Sequence, residues 1–322
     1  MSGAPRVLLV GAGAVGQVFG KYLQAAGCEL SFLVKEKYAE EARRGYPLYE
    51  LGLFSRRPRP VLFSGFGVRV SAREVAAERW DQVWLCVSST ALRDGNWVGE
   101  LARATGDATW VMLQPALDDR DWLLQWVPEE RLVSGMIPFL SFHAPLKPGD
   151  PLEGPGTAFW MPPMSRGLFS GPPERLQGVL RPLRAGGYPA SRSEDVARAA
   201  AIPTAVLTVF INELESAGWS FDRFRERAHL ERLQGAAREA VQIAARHTRT
   251  SASAVLPLLR PAFFKVLLAV ASRVAPIDLE TYLRVHFTKV GAQTRLMMRT
   301  YIDLGRTQEQ PVQALQASVH GA

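Results

Sequence analysis

Cysteine and histidine are scarce in this chain of 322 residues, which contains two cysteines and five histidines. Cys28 and Cys86 are far apart in the sequence, no C-x-x-C motif occurs, and the histidines are dispersed. A disulfide framework and a zinc site both need a denser arrangement of these residue types. The sequence therefore predicts no bound metal and a reducing compartment.

Long apolar runs and blocks of one charge are also missing. No run reaches the roughly 18 apolar residues that span a bilayer, and the stretch from Phe263 to Val274 is interrupted by Lys265 and Arg273. The first strand pattern begins so close to Met1 that no signal peptide is expected. The net charge of +7 comes from scattered basic residues rather than from one basic block. These absences argue against a membrane protein and against nucleic-acid binding, and they predict a cytoplasmic protein.

What the sequence does contain is a G-x-G-x-x-G motif near its start. Apolar residues 7–10 are followed at once by the three glycines and then by a helical pattern. In a βαβ unit the first glycine makes a tight turn, the second lets a pyrophosphate approach the backbone, and the third lets helix and strand pack closely. The free N–H groups at the helix start bind phosphate. The predicted dinucleotide contacts in this loop are Gly11, Gly13, Ala14, Val15 and Gly16.

The residues after the second predicted strand indicate which dinucleotide is preferred. NAD-binding chains usually place Asp or Glu there, where the carboxylate binds the ribose hydroxyls. This chain has Lys35 at that position and Lys37 two residues later, and two ammonium groups suit the 2′-phosphate of NADP. Glu36 lies between them, and a shift of one residue would bring its carboxylate to the ribose. We expect NADP(H) rather than NAD(H), with ordinary surface lysines as the alternative interpretation.

Strand and helix patterns alternate through the first half of the chain, and helical patterns follow. Such alternation is typical of a doubly wound parallel sheet, so we predict an α/β, Rossmann-like dinucleotide-binding domain at 1–192. The second domain, 193–322, is predicted to be all-helical. Its predicted helices are Val196–Ala217, Phe221–Arg246, Ala252–Leu259, Ala262–Val274 and Tyr282–Leu304. The stretch 45–67 is rich in Pro, Gly and Arg and is expected to be irregular, with edge strands at most.

Two polar segments follow strand patterns in the first domain, at Ser88–Thr90 and Gln114–Ala116. Ligands of doubly wound sheets bind outside the carboxyl ends of the strands. We therefore expect Ser88 and Gln114 to contact the cofactor. The active site is expected where these segments and the glycine-rich loop face the helical domain.

Residues 10–16, 33–35 and 113–117, together with the carboxyl-terminal stretches 293–295 and 301–306, resemble the ketopantoate reductase family. The resemblance extends over essentially the whole chain, and the order of domains is the one shared with 6-phosphogluconate dehydrogenase. It implies reduction of a 2-keto acid with NADPH. The family's basic residue that contacts the 2′-phosphate corresponds to Lys35.

The residues that carry the family's chemistry are nevertheless changed. The family has a lysine near the start of the long helix between the domains, with asparagines four and eight residues later, and the resemblance implies that this lysine donates the proton. The corresponding residues here are Thr204, Thr208 and Asn212, so one helix face keeps a polar stripe without its cation. A positioned general acid contributes about 10²- to 10⁴-fold to the rate. We therefore expect negligible reduction of ketopantoate unless other residues substitute.

A second polar stripe near the carboxyl terminus offers such substitutes. Its members follow helical spacing, which places them on one face of the helix that would face substrate in the family, and they are Tyr282, His286, Lys289 and Gln293. His286 or Lys289 is the predicted proton donor, and a solvated helix face is the alternative. The predicted catalytic set is Asn212 as substrate anchor with His286, Lys289, Thr204 and Thr208.

Two classes of function remain open. The first is a reductase that transfers hydride from NADPH to a carbonyl or imine other than ketopantoate, since loss of the cationic anchors favours a less anionic small molecule. The second is a non-catalytic NADP(H)-binding sensor or scaffold, and a genuine ketopantoate reductase ranks third. Glu213 and Glu215 are either contacts for a cationic substrate or surface acids. The helical domain offers a surface for a homodimer.

Overall fold

The computed structural model describes residues 4–52, 58–150, 152 and 154–320. The chain divides into two compact units, one formed by Met1–Gln114 and Asp119–Val196 and the other by Pro115–Asp118 and Ala197–Ala322. The first unit contains the sheets, and the second is helical. The predicted fold class, a Rossmann-like sheet followed by a helical part, is confirmed.

The strands of the first unit form two sheets. They are β1 (Arg6–Val10), β2 (Glu29–Leu33), β3 (Tyr46–Leu51), β4 (Val61–Phe63), β5 (Gly67–Arg69), β6 (Gln82–Leu85), β7 (Thr109–Met112), β8 (Leu132–Gly135), β9 (Leu140–Ala144), β10 (Gly156–Trp160), β11 (Gly167–Ser170) and β12 (Ala190–Arg192). Sheet A has the order β12-β11-β8-β7-β6-β1-β2-β5, and sheet B has the order β4-β3-β10-β9. Within sheet A only the β8–β11 pair is antiparallel.

The helices are distributed over both units. The first unit holds α1 (Ala14–Ala25), α2 (Ala39–Arg44), α3 (Ala72–Ala76), α4 (Ser89–Leu92), α5 (Trp97–Ala104), α6 (Asp119–Leu123) and α7 (Pro173–Ala185). The second holds α8 (Val196–Ser216), α9 (Phe221–Phe224), α10 (Arg227–His247), α11 (Pro261–Val274), α12 (Leu279–Lys289), α13 (Gly291–Thr307) and α14 (Gln313–His320).

The central strands of sheet A are buried on both faces, as their nearly continuous apolar sequences require. Their register brings the strand ends together. Val10 is level with Leu33 of β2 and with Leu85 of β6, and Leu85 is level with Met112 of β7. The carboxyl ends of four neighbouring strands therefore lie at one edge of sheet A, and the loops that leave this edge hold the candidate site.

The prediction for 45–67 was wrong in one respect. β3, which lies in this stretch, is a central strand of sheet B: it pairs with β4 on one side and in parallel with β10 on the other. Leu48 is level with Thr157, more than a hundred residues further along. A local pattern cannot reveal so distant a pairing, and Pro47 made the segment look like a loop. Residues 53–57 lie outside the described part of the chain.

The predicted helix Tyr282–Leu304 forms two helices instead of one. α12 ends at Lys289 and α13 begins at Gly291, with Val290 at φ −107° and ψ 18° between them. A β-branched residue followed by glycine is a poor continuation of a helix. The prediction of one continuous polar stripe was therefore wrong, because Gln293 is on α13 and the other members are on α12.

Two further helix predictions in the second unit need correction. Ala252–Leu259 forms turns rather than a helix, since the Ser251 and Ser253 hydroxyls hydrogen-bond each other at 2.8 Å and Pro257 disfavours a helical residue before it. Phe221–Arg246 is divided into α9 and α10. No sequence pattern predicted α14.

α8 is long and apolar enough, by length and composition alone, to cross a membrane, which the sequence analysis did not anticipate. Half of its most apolar window is buried inside the protein. Thr208, Asn212 and Glu213 on this helix are also buried. Buried polar side chains with protein partners are typical of a core helix rather than of a lipid-facing one.

Candidate dinucleotide-binding site

The turn between β1 and α1 admits only glycine at two positions. Gly11 has φ +93°, and an added Cβ would lie 2.9 Å from Val87 Cγ1 and 3.1 Å from the Cys86 carbonyl oxygen. A Cβ on Gly16 would lie 2.3 Å from the Gly11 carbonyl oxygen. The first and third glycines of the motif therefore do what the sequence predicted: one makes the turn, and the other lets helix and strand approach.

The start of α1 is open to an anion. Gly13 is the N-cap residue, and within the described residues no side chain accepts a hydrogen bond from the first turn and no acidic residue lies in it. An added Cβ on Gly13 would have no atom within 4 Å. The N–H groups of Ala14 and Val15 thus lie at an uncapped positive helix end beside free space. This arrangement fits the pyrophosphate of a dinucleotide.

Gln17 supports this turn and was missed by the sequence analysis. Its side chain is 1% exposed, and Nε2 donates to the Ala12 carbonyl oxygen at 2.8 Å. The hydrogen bond holds the backbone of the loop one residue before Gly13. A glutamine one helical turn after the loop glycine was the available signal, but its spacing carries no family motif.

Lys35 and Lys37 are exposed directly after β2. Among the described residues neither ammonium group has a carboxylate partner, and Lys37 Nζ lies 4.9 Å from the ring centroid of Tyr38. Glu36 is exposed between them. The two cations are therefore free of competing acids, which is what the predicted 2′-phosphate contact requires, and their role remains a prediction.

The side chains of Ser88 and Gln114 form hydrogen bonds with backbone groups at the same edge of sheet A. Ser88 caps α4, with Oγ accepting from the Ala91 N–H at 3.1 Å. Gln114 Nε2 donates to the carbonyl oxygens of Leu85 and Val87, at 2.9 and 2.7 Å. These side chains shape the loops at the carboxyl ends of β6 and β7. Their predicted contact with cofactor remains untested, and their observed partners favour a structural role.

A buried ion pair fixes the next turn of the same loops. Asp119 is completely buried, pairs with the Arg93 guanidinium, and accepts from Ser89 Oγ at 2.7 Å. The Arg93 guanidinium also lies 5.6 Å from the ring centroid of Trp122. Removing one partner of such a pair leaves a buried charge without compensation, so this pair rigidifies the segment between β6 and α6.

Comparison with known families places this architecture. Residues 7–147 match the family described as ketopantoate reductase PanE/ApbA. This segment, which is less than half of the chain, is similar to that family. The resemblance predicted from the glycine motif, the second strand and residues 113–117 is thus confirmed, and the family is one of oxidoreductases.

Solved structures extend the likeness to the ketopantoate reductase fold over the whole chain. The 2-dehydropantoate 2-reductase of Geobacter metallireducens has a TM-score of 0.68 and 16% identity, covering 98% of each chain. The PanE/ApbA family ketopantoate reductase of Ralstonia eutropha has a TM-score of 0.72 and 16% identity, covering 98% of this chain and 96% of its own. D-Mandelate dehydrogenase with NADH and anilino(oxo)acetate has a TM-score of 0.72 and 12% identity, with the same coverage. At these identities the likeness shows the fold. No curated relative matches the chain at a significant level.

On α8, two of the three residues that the sequence predicted to be catalytic bind parts of the helical unit itself. Thr208 is 5% exposed, and its hydroxyl donates to the Thr204 carbonyl oxygen at 2.8 Å. Asn212 is also 5% exposed, and Nδ2 donates to the Ser318 carbonyl oxygen at 3.1 Å. Asn212 thereby anchors the end of α14. The structure brings Thr204, Thr208 and Asn212 onto one side of α8, as their spacing predicted, but it shows them in structural contacts.

Tyr301 adds a buried hydroxyl to this group. It is 1% exposed, and its hydroxyl makes no hydrogen bond of ordinary geometry with any described residue. Burial raises the pKa of the Tyr301 phenol above its usual range, and the nearby Thr208 hydroxyl opposes this shift. Tyr301 is therefore a neutral donor at physiological pH.

Glu213 is a buried acid rather than a surface acid. It is 1% exposed, and its Oε1 accepts from Arg232 Nη2 at 2.7 Å and lies 2.5 Å from His229 Nδ1. Glu215, half-buried, has its carboxylate 3.7 Å from the Arg295 guanidinium. The surface interpretation of Glu213 was wrong, and both acids are partly neutralised by arginines of the helical unit.

His286 and Lys289 share the last turns of α12 but differ in environment. The His286 ring stacks on Tyr282 with centroids 5.3 Å apart. Burial, followed by the charge of Lys289, lowers the pKa of His286 to about 4. The imidazole is therefore neutral at pH 7 and a poor proton donor there, whereas Lys289 is exposed. Of the two predicted donors, the structure favours Lys289.

Proposed function

We propose that this protein is an NADPH-dependent reductase that transfers hydride to the C=O or C=N group of a small molecule other than ketopantoate. The observation that carries the proposal is the uncapped start of α1 beside the open Gly13 position. It is supported by the ketopantoate reductase family match over 7–147 and by the likeness to a dehydrogenase whose structure contains NADH.

The protein's own groups have two tasks in this reaction. The N–H groups of Ala14 and Val15 bind the pyrophosphate, and the ammonium groups of Lys35 and Lys37 bind a 2′-phosphate. NADPH, when bound, supplies the hydride. The substrate oxygen or nitrogen that becomes negative takes a proton, for which Lys289 is the candidate donor.

The choice of substrate follows from the charges that are missing. The lysine of the family is Thr204 here, and the neighbouring positions are taken up by bonds inside the helical unit. A ketoacid carboxylate would find no cation on this face of α8 among the described residues. A ketone or an imine of lower negative charge does not need a cation at this face. Genuine 2-dehydropantoate reduction therefore ranks below the two other candidates.

A non-catalytic NADP(H)-binding sensor or scaffold is the second candidate. The commitment of Thr208 and Asn212 to backbone carbonyls favours it, because these side chains then have fewer donors left for a substrate. Both functions share the binding step and differ only in turnover. For either function we expect a cytoplasmic protein with a small-molecule ligand and without a nucleic-acid or membrane partner.

Fluorescence titration with NADPH, followed by NADPH consumption with ketopantoate and a panel of ketones and imines, tests the proposal. We expect NADPH to bind and ketopantoate to be consumed slowly if at all, with turnover on a member of the panel. Binding with no turnover on any compound would favour the sensor. Failure to bind either NADPH or NADH would refute both functions.

We also propose that the helical unit forms a homodimer through α11. Its exposed side carries apolar residues with no charge among them, at Phe263, Val266, Leu267, Val270 and Val274, of which four are 41–62% exposed. The positions read alike from either end of the helix: Phe263 and Val274 are equivalent, as are Leu267 and Val270. A two-fold axis requires such self-complementarity. Sedimentation analysis of the wild type and Val270→Glu is expected to show a dimer and a monomer, respectively, and a wild-type monomer would contradict this proposal.

A further inference from the structure

The first unit carries a polar cavity at the edge of sheet A opposite the glycine-rich turn. Its volume is about 350 Å³, within the range of small-molecule sites. Asp81 and Ala108, which line it, directly precede β6 and β7. The cavity therefore lies at the amino ends of these strands. A ligand in it would be separated from the candidate dinucleotide site by the length of a strand.

Two of the three carboxylates around this cavity have cationic partners, and the third, Asp81, accepts from the Arg6 backbone N–H at 2.7 Å. Asp107 is held by Arg175, whose Nη2 donates to its two carboxylate oxygens at 2.7 and 2.8 Å. Glu78 is hydrogen-bonded by the guanidinium groups of Arg6 and Arg69. These acids are therefore compensated and do not call for a cationic ligand.

Two arginines of the cavity wall have no such partner. Arg79 and Arg103 are exposed, and neither forms an ion pair or hydrogen bond with any residue that the structure describes. They come from different elements, Arg79 from the loop before β6 and Arg103 from α5. Two unpaired arginines that line one cavity from separate elements provide guanidinium N–H donors for an anion.

Arg131 supplies a third unsatisfied guanidinium next to the same wall. Its Nε donates to the carbonyl oxygen of the wall residue Ala108 at 3.2 Å. Its Nη2 is buried and has no hydrogen-bond partner in the described part of the chain. Arg131 does not line the cavity, so its guanidinium adds positive charge directly behind the wall.

The balance of charge defines the ligand. The wall itself has three guanidinium groups and three carboxylates, and the groups that contact the wall from behind add a net charge of +2; the wall groups belong to Arg79, Arg103, Arg175, Glu78, Asp81 and Asp107, and those behind it to Arg6, Arg69, Arg131 and Glu29. We propose that this cavity is a second ligand site, which binds the phosphate group of a small metabolite. Arginine recognises phosphate through paired N–H groups. Because the site is remote from the glycine-rich turn, its ligand acts as an effector or stabiliser and takes no part in hydride transfer.

Calorimetric titration with inorganic phosphate tests this site. The protein is first saturated with NADP⁺, so that the glycine-rich turn is filled, and the ionic strength is held constant with chloride. We expect one phosphate to bind per chain. The double substitution Arg79→Gln with Arg103→Gln is expected to raise the dissociation constant at least tenfold, and Arg181→Gln, an exposed arginine of α7 away from the cavity, is expected to change it less than twofold.

Both variants replace exposed side chains, so their melting temperatures without phosphate are expected to match the wild type. Bound phosphate is expected to raise the melting temperature of the wild type and of Arg181→Gln, but not of the double variant. No phosphate binding by the wild type, or equal affinity in all three proteins, would overturn the proposal. The titration is repeated in Gly13→Val, where the same pattern must persist, so a failure of the dinucleotide assignment does not affect the result.

Discussion

The two units differ in the groups that form their candidate functional positions. In the first unit the candidate site is built from backbone: a glycine turn, an uncapped helix start and the aligned ends of parallel strands. In the second unit the candidate positions are side chains on α8, and Thr208 and Asn212 bind the helical unit itself. A site made of backbone depends on the identity of a few glycines. A site made of side chains depends on the identity of every residue that contributes to it.

This contrast explains why cofactor and substrate are so unequally defined. The phosphate-binding geometry follows from the turn alone, whatever the neighbouring side chains are. The substrate pocket of a reductase depends on the identity of a few donors, each worth about 10²-fold or more in rate. Where these donors differ, the family match indicates the class of reaction but leaves the substrate open.

Substitution of Gly13 is the most direct test of the backbone-built site in the first unit. A Cβ there meets no protein atom within 4 Å, so Gly13→Val is expected to fold normally while its side chain occupies the space of the pyrophosphate. NADPH affinity is expected to fall at least about 100-fold, equivalent to about 2.7 kcal/mol. Fluorescence titration measures the affinity, and the melting temperature reports the fold.

Gly178→Val is the matched control for this substitution. Gly178 is on α7, and an added Cβ there also has no atom within 4 Å. We expect this variant to bind NADPH like the wild type. Tight binding by Gly13→Val would show that the glycine turn is not the dinucleotide site and would remove the basis of the comparison.

Lys35 tests the one part of the first unit's site that depends on side chains. Lys35→Asp places a carboxylate where we assign the 2′-phosphate, so NADPH affinity is expected to fall about 30-fold, or about 2 kcal/mol, while NADH affinity changes less than threefold. Glu36→Gln is the control and is expected to leave both affinities unchanged. Equal losses for the two dinucleotides in Lys35→Asp would contradict the assignment, and a selective loss of NADH binding in Glu36→Gln would place the ribose at Glu36.

The sequence predicted the glycine turn of the first unit because the signal of this turn is local. Gly11, Gly13 and Gly16 are adjacent in the chain, and their spacing carries its physical meaning with it. Sheet B was missed because β3 pairs with a strand more than a hundred residues away. The break at Val290 was missed because polar spacing continues across it while the backbone does not.

The helical unit was predictable as a set of helices but not as a set of partners. The spacing of Thr208 and Asn212 correctly placed them on one side of α8. Nothing in that spacing shows that Asn212 binds the Ser318 carbonyl oxygen, because α14 had no recognisable pattern. Glu213 was judged a surface acid on average behaviour, yet Arg232 and His229 from α10 bury it. Side-chain roles of this kind depend on tertiary contacts, which a single sequence does not contain.

Substitution of Asn212 tests the corresponding side-chain contact in the second unit. Asn212→Ala removes the hydrogen bond to Ser318 and leaves a buried carbonyl unpaired, so the protein is expected to lose about 1–2 kcal/mol of stability. NADPH affinity is expected to stay unchanged, and turnover is expected to fall if this amide also anchors substrate. Urea unfolding and a binding titration measure the first two effects. Asn96→Ala, which removes an exposed amide without a capping bond, is the control, and unchanged stability in Asn212→Ala would show that α14 is held by its other contacts.

The smallest effect concerns His286, whose pKa is lowered to about 4 by burial and by Lys289. In the unfolded chain this imidazole titrates near 6.5, so between pH 6.5 and 4 the unfolded state binds more protons, and stability falls as the pH falls. The deficit is absent above pH 6.5 and complete below pH 4. His286→Phe is expected to recover about 1 kcal/mol at a pH of about 5.8 and nothing at pH 8, measured by urea unfolding. Lys289→Gln is expected to recover a smaller part of the deficit, because burial acts without it. If His286→Phe instead abolished turnover at pH 7 with its stability profile unchanged, the imidazole would be the proton donor, and the second unit would hold a rebuilt catalytic site on α12.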